Sequence, residues 1–135
     1  MQVKDLDGNT VNWKLTGSIS NGSAQNKSDL HLKARELIKE CFPTFHILEE
    51  VTVPLRHGQT LYMDFYLPLN KKCIEVHGKQ HYSFSGFFHK DMMGFIRHKK
   101  RDQEKREWCA INDIDYVELP YNETIDEWKK RISDE

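Results

Sequence analysis

Residues 61–82, LYMDFYLPLNKKCIEVHGKQHY, contain two apolar runs on either side of the turn-forming stretch Pro68-Leu69-Asn70-Lys71. Each run carries one carboxylate, Asp64 in the first and Glu75 in the second. Both runs, 61–68 and 71–78, are short, rich in aromatic and branched residues and bounded by turn formers, so they predict consecutive strands. In the second, the strand period of two places Cys73, Glu75 and His77 on one face and Ile74 and Val76 on the other. An otherwise apolar strand that carries Glu and His needs partners for them. Antiparallel pairing of the two runs would bring Asp64 beside Glu75. Surface ion pairs on a half-exposed sheet face are the plain alternative.

Upstream, FHILEEVTVPL at 45–55 predicts a third strand, separated from the first run by His57-Gly58. Before it, Ser28 is a candidate N-cap for DLHLKARELIKECF, in which Leu30, Ala34, Leu37 and Cys41 recur at helical spacing and Pro43 marks the end. Downstream, a second helix is expected from Phe95 to Asn112, a fourth strand at 115–120 (DYVELP), and a last helix over ETIDEWKKRI. In that last helix Ile125, Trp128 and Ile132 share a face and Asn122 or Thr124 is the cap candidate. The order αβββαβα predicts an α/β domain over 28–135, with a central mixed four-stranded sheet flanked by helices. Residues 1–27 contain Gly8, Gly17 and Gly22 and end in SISNGSAQNK, which predicts a loop-rich N-terminal extension. Within it, Asp7-Gly8 suits a hairpin turn, anchored by Trp13 and Leu15.

A chain of 135 residues is one domain's length, and 38% hydrophobic residues suffice for a core, so disorder throughout is excluded. With 20 basic and 21 acidic side chains the net charge is −1, which excludes a polycation that coats nucleic acid by bulk charge. No apolar stretch approaches the ~18 residues of a membrane span, and the polar start MQVKDLDGNT lacks the layout of a secretory signal. A cytoplasmic protein that does not enter membranes is therefore expected. Cys41, Cys73 and Cys109 are odd in number and lie in apolar segments, as reduced core thiols would.

Two chemical features stand out against this background. Paired carboxylates at short range suit Mg²⁺, with Mn²⁺ as a possible substitute, because such ions are held by one or two carboxylates together with substrate phosphate. That ligand set serves metal-assisted phosphodiester hydrolysis. Gly78 after the strand end allows close backbone approach, and Gln80, His81 and Tyr82 add polar donors. His77 and His81 are alternatively candidate Zn²⁺ ligands, although Gly78 interrupts the helix their spacing would need. The second helix carries Arg97, Lys99, Lys100, Arg101, Lys105 and Arg106, with Asp102 and Glu104 interleaved. Such a local cluster positions a phosphate backbone without reading sequence, whereas intrahelical pairs such as Asp102 with Lys105 or Arg106 would make it an ordinary solvated face. Phe95, His98, Asp102, Lys105 and Cys109 share one helical stripe with apolar ends, so Asp102 and Lys105 are expected to look partly inward.

DFYLP, IEVHGKQHY, RDQEKREWCAINDI and VELPY together resemble the PD-(D/E)xK, restriction-endonuclease-like superfamily, in its branch of very-short-patch-repair-like and small phage or homing-type endonucleases. The resemblance spans about 28–132 and is strongest over 64–82. It implies a restriction-endonuclease-like core and a Mg²⁺-dependent DNA endonuclease of phage or mobile-element type. Asp64 matches the metal-binding Asp, Glu75 the acidic member of the Glu-x-Lys pair, and His77 the slot usually held by lysine, where it would orient or deprotonate water. His81 and Lys105 would steady the scissile phosphate or leaving group, and Lys99, Lys100 and Arg101 would neutralise phosphates. His31, Gln80 and Asp102 are possible accessory residues, His31 falling where the branch often has a helix glutamate. One site per chain would make one cut per protomer, so double-strand cleavage would call for a homodimer or two visits. The competing expectation is a nuclease fold without catalysis, kept for nucleic-acid binding or for interfering with a host enzyme.

Overall fold

The computed structural model describes residues 1–15, 18–19, 28–78 and 92–133. Among them are strands β1 (Gln2–Lys4), β2 (Thr10–Asn12) and β3 (Ser18–Ile19), helix α1 (Asp29–Cys41), strands β4 (Leu48–Arg56), β5 (Gln59–Leu67) and β6 (Lys72–His77), helix α2 (Met92–Ile111), strand β7 (Asp115–Pro120) and helix α3 (Ile125–Ser133). The sheet order is β3-β4-β5-β6-β7, antiparallel from β3 through β6 and parallel between β6 and β7. The predicted mixed four-stranded sheet, β4 to β7, is therefore present in the predicted element order. It is extended to five described strands by the two-residue β3, which pairs with Leu48 and Glu49 where the composition predicts loop.

Local chemistry accounts for the boundaries. The Ser28 side chain accepts the His31 N–H at 3.1 Å and caps α1. At α3 a reciprocal box forms, in which Thr124 Oγ1 accepts from Glu127 N and Glu127 Oε1 accepts from Thr124 N. His57-Gly58 closes β4 onto β5, with Gly58 at φ +76°, a conformation glycine adopts without strain.

Two apolar clusters lie on opposite faces of the sheet. On one face, Ala34, Leu37 and Ile38 of α1 and Trp128 and Ile132 of α3 pack with Phe65, Leu67, Ile74 and Leu119. On the other, Trp108 and Cys109 of α2 pack with Val51, Val53, Leu55, Met63, Tyr66 and Cys73. Val3 and Trp13 join this second cluster. The described part of the N-terminal extension is thus a hairpin seated in the core, with Asp5 Oδ1 accepting from Asp7 N and Asn9 N at the turn. Trp13 anchors it as expected, whereas Leu15 is exposed and does not. The indole N–H groups of Trp13, Trp108 and Trp128 donate to the carbonyls of Thr52, Pro54 and Pro120, so each ring is buried without stranding its donor. Cys73 and Cys109 are fully buried free thiols, and Cys41 is half-buried.

Candidate active site

The site is set by a break in strand alternation. Along β4 and β5 the register runs Leu48↔Tyr66, Glu49↔Phe65, Val51↔Met63, which leaves Glu50 opposite Asp64. Glu50 has φ +55°. Met63 packs on the α2 face and Phe65, two residues later, on the α1 face, so the twist at Glu50 and Asp64 exchanges the two faces. β5 and β6 separate at the same place. Their backbone pairing runs from Leu67↔Lys72 to Phe65↔Ile74 and stops.

Side chains replace the next rungs. Asp64 Oδ2 accepts the Val76 N–H at 2.9 Å, and Glu75 Oε2 accepts the Asp64 N–H. Lys105, reaching across from α2, donates its ammonium to Glu75 Oε1. The predicted inward stripe of α2 is therefore real, with Asp102 and Cys109 buried and Lys105 nearly so. The partner of Lys105 is Glu75 on the sheet, not Asp102 on its own helix.

Burial dominates the electrostatics. It pushes the Asp64 carboxyl up from 3.8 to about 6, with the neighbouring Glu75 charge adding to the effect and the Val76 N–H and Lys105 opposing it. Burial also raises Glu75, more than Lys105 lowers it. For Lys105 burial acts downward, but the Glu75 carboxylate, with Asp64 and Cys73 adding to it, outweighs burial and the ammonium is held above its usual value. Two carboxylates thus share one cation in a low-dielectric fork.

The other candidates fall around this centre. His77 is buried on the Glu75 face, but its ring is turned toward β7: Nε2 lies 3.1 Å from the Tyr116 hydroxyl and Nδ1 3.6 Å from Glu118. His31 reaches the site's opposite side from α1, stacked on Phe65 at 4.4 Å with its Nε2 at 2.5 Å from Glu49 Oε1. Arg35 grips the same carboxylate through Nε and Nη2 at 3.0 and 3.1 Å. Gln80 and His81 lie outside the described residues. Among the described residues no cluster of three or more His, Cys, Asp or Glu side chains has metal-holding geometry.

Sequence reasoning missed Glu49, Arg35, Tyr116 and Glu118. A signal existed for Glu49, because in ILEEVTV two adjacent acids cannot both point away from the core of a straight strand. Arg35 lies one turn after His31 on the same helix face, a spacing that was there to be read.

Lys99, Lys100 and Arg101 are exposed on the outer side of α2, with the Lys99 ammonium 5.9 Å from the Phe95 ring. If they meet phosphates, replacing all three by Ala lowers DNA affinity equally for unrelated sequences and reduces the slope of log affinity against log salt by up to ~0.9 for each phosphate no longer neutralised. Salt-titrated fluorescence anisotropy measures this. Melting should hardly move, since exposed charges contribute only about 0–1 kcal/mol each, and a large drop would make these residues structural.

No protein-family model matches this chain, and no solved structure matches it significantly. Its relatives include three uncharacterized viral proteins. It is 36% identical to protein 033L of Invertebrate iridescent virus 3 over 64 residues, 47% of this chain and 33% of the relative. It is 39% identical to protein 307L of Invertebrate iridescent virus 6 over 61 residues, 45% and 31% of the two chains. With protein 094L of Frog virus 3 the identity is 37% over 65 residues, 47% of this chain and 42% of the relative. The matched segment therefore spans about a third to two fifths of each relative. Among the described residues no helix is long and apolar enough to cross a membrane.

Proposed function

We propose that this chain is a metal-dependent endonuclease that hydrolyses DNA phosphodiester bonds on a restriction-endonuclease-like core, and that it acts in the cytoplasm of a virus-infected cell. The observation that carries the reading is the fork between β5 and β6, where Asp64, Glu75 and Lys105 converge from three elements.

The two carboxylates supply the oxygen donors a hard divalent cation prefers, and water and substrate phosphate would fill its remaining positions. Both carboxyls are held above their ordinary titration range by burial, and one ammonium does not offset two charges. Asp64 and Glu75 would hold Mg²⁺ or Mn²⁺, which when bound supplies Lewis-acid polarisation of the phosphoryl oxygen and a more acidic water. The chain's own groups do the rest. The Val76 N–H fixes one Asp64 oxygen, and the Asp64 N–H fixes one of Glu75, so both carboxylates are oriented before substrate arrives. The Lys105 ammonium, bonded to Glu75, would stabilise the negative charge that develops on the phosphoryl group or the departing oxygen. The exposed cations of α2 extend the positive surface along a phosphate backbone. With one such site among the described residues of a chain, cutting both strands would take a homodimer or two encounters.

Incubating the protein with supercoiled, linear and single-stranded DNA in Mg²⁺, Mn²⁺ or chelator tests the reading, with Asp64→Ala and Glu75→Ala alongside. Cleavage that needs the metal and is abolished in both variants is the expected result. Undiminished cleavage by both variants would falsify the assignment. DNA binding that is indifferent to chelator, with no cleavage in any metal, would make this a binding module instead.

A further inference from the structure

His31, Glu49 and Arg35 form a buried group on the α1 side of the fork. A buried Arg–Glu pair with a histidine beneath the amphipathic helix α1 is costly, and replacing such a group by hydrophobic residues is often neutral or stabilising. Packing alone therefore does not account for it. Its geometry is specific. Arg35 grips the Glu49 carboxylate with two N–H groups, Glu49 Oε1 meets His31 Nε2 at 2.5 Å, and the imidazole lies flat on Phe65 with ring centroids 4.4 Å apart. The ring is held by a carboxylate at one end and an aromatic face beneath, and Phe65 adjoins Asp64.

The tautomer follows from the partners. Glu49, ionised against Arg35, only accepts hydrogen bonds, so in the neutral imidazole Nε2 carries the proton and Nδ1 the lone pair. A base whose second nitrogen is fixed by a carboxylate is the arrangement that general-base catalysis uses. His77 does not have it, because both its ring nitrogens face β7.

We infer that His31, oriented by Glu49 and Arg35, is the proton acceptor for the water that attacks the phosphodiester at Asp64, a role the resemblance gives to His77. An O–H bond of water breaks, its proton passes to Nδ1, and the water oxygen bonds to phosphorus as the bond to the leaving oxygen breaks. That oxygen takes a proton from solvent, and Nδ1 returns its own to solvent. The imidazole is stacked on Phe65, the neighbour of Asp64 in β5, and so lies on the α1 side of the strand that carries that carboxyl.

The inference rests on the endonuclease reading, and three measurements separate their failures. Nitrogen NMR of the protein alone reads the tautomer: a proton on Nε2 in the neutral ring is expected, and one on Nδ1 overturns the inference without touching the endonuclease reading. Cleavage of plasmid DNA by His31→Gln, which keeps an N–H for Glu49 but offers no basic nitrogen, is expected to fall by ~10²-fold or more at saturating DNA. Parent-like cleavage overturns the inference alone. Added imidazole is expected to restore at least part of the lost rate in a folded His31→Ala variant and none in Asp64→Ala. No rescue of folded His31→Ala assigns His31 a structural role and overturns the proposal. A parent protein that cleaves no DNA in any metal overturns both readings.

Discussion

Lys105→Ala is expected to lose about 3–5 kcal/mol of folding stability at pH 8, the range found when one partner of a buried ion pair is removed. Its ammonium is the cation bonded to Glu75, and it also acts on Asp64, so the variant leaves two buried carboxylates facing each other. The loss depends on pH in a defined direction. Asp64 and Glu75 already bind protons more tightly in the folded state than in the unfolded chain, and without Lys105 they bind them more tightly still. Lowering the pH toward 5 neutralises them, and the deficit shrinks. Urea denaturation of parent and variant at pH 5 and pH 8 measures the difference, and an equal loss at both would mean that the lysine stem, not its charge, matters. Adding Glu75→Gln to Lys105→Ala should recover most of the stability at pH 8, because the remaining buried charge is halved. In cleavage assays, Lys105→Ala is expected to slow the reaction at saturating DNA more than it weakens binding, since an interaction with the reacting phosphate counts most in the transition state. A parental rate would take Lys105 out of the site.

Asp64→Asn is expected to act in opposite directions on activity and stability. Cleavage should fall by ~10³-fold or more, roughly 4 kcal/mol in the barrier, because an amide neither holds a divalent cation nor carries charge. The fold should become about 1–2 kcal/mol more stable at pH 7–8. The folded pKa of about 6 lies above the unfolded value near 3.8, so the folded state holds the extra proton between those pH values. Parent stability therefore falls as pH rises through that window, and the whole penalty is present above it. Asparagine has no charge to desolvate, and its carbonyl still accepts the Val76 N–H. Urea midpoints from pH 4 to pH 8 should show the parent losing ground to the variant across the window and level thereafter. Parallel profiles would mean that Asp64 is not desolvated.

How much of this was legible differs from residue to residue. The alternation of Cys73, Glu75 and His77 against Ile74 and Val76 was readable because a strand's period is local, and the elements before and after it followed from caps, breakers and spacing. The approach of Asp64 to Glu75 was readable because two adjacent runs with a short turn have few ways to pair. The helical stripe that turns Lys105 inward was readable for the same reason, a period of 3.6 with apolar ends. Its partner was not, since i and i+3 neighbours on one helix can be counted along the chain, whereas a carboxylate thirty residues away belongs to another element.

The sequence by itself determined the order of helices and strands from α1 to α3, their caps and which residues turn toward the sheet, because hydrogen-bond period, capping and burial of apolar side chains act over a few residues. Only the tertiary structure decided which polar groups meet. The +55° backbone at Glu50 exchanges the faces of β4 and β5, and this is what opens the sheet at Asp64 and sends Glu49 to the α1 side. There it meets His31 and Arg35, while the parallel pairing of β6 with β7 turns His77 toward Tyr116 and Glu118. Such choices depend on interactions between elements far apart in the chain, which a buried polar group must find because its hydrogen bonds to water are gone.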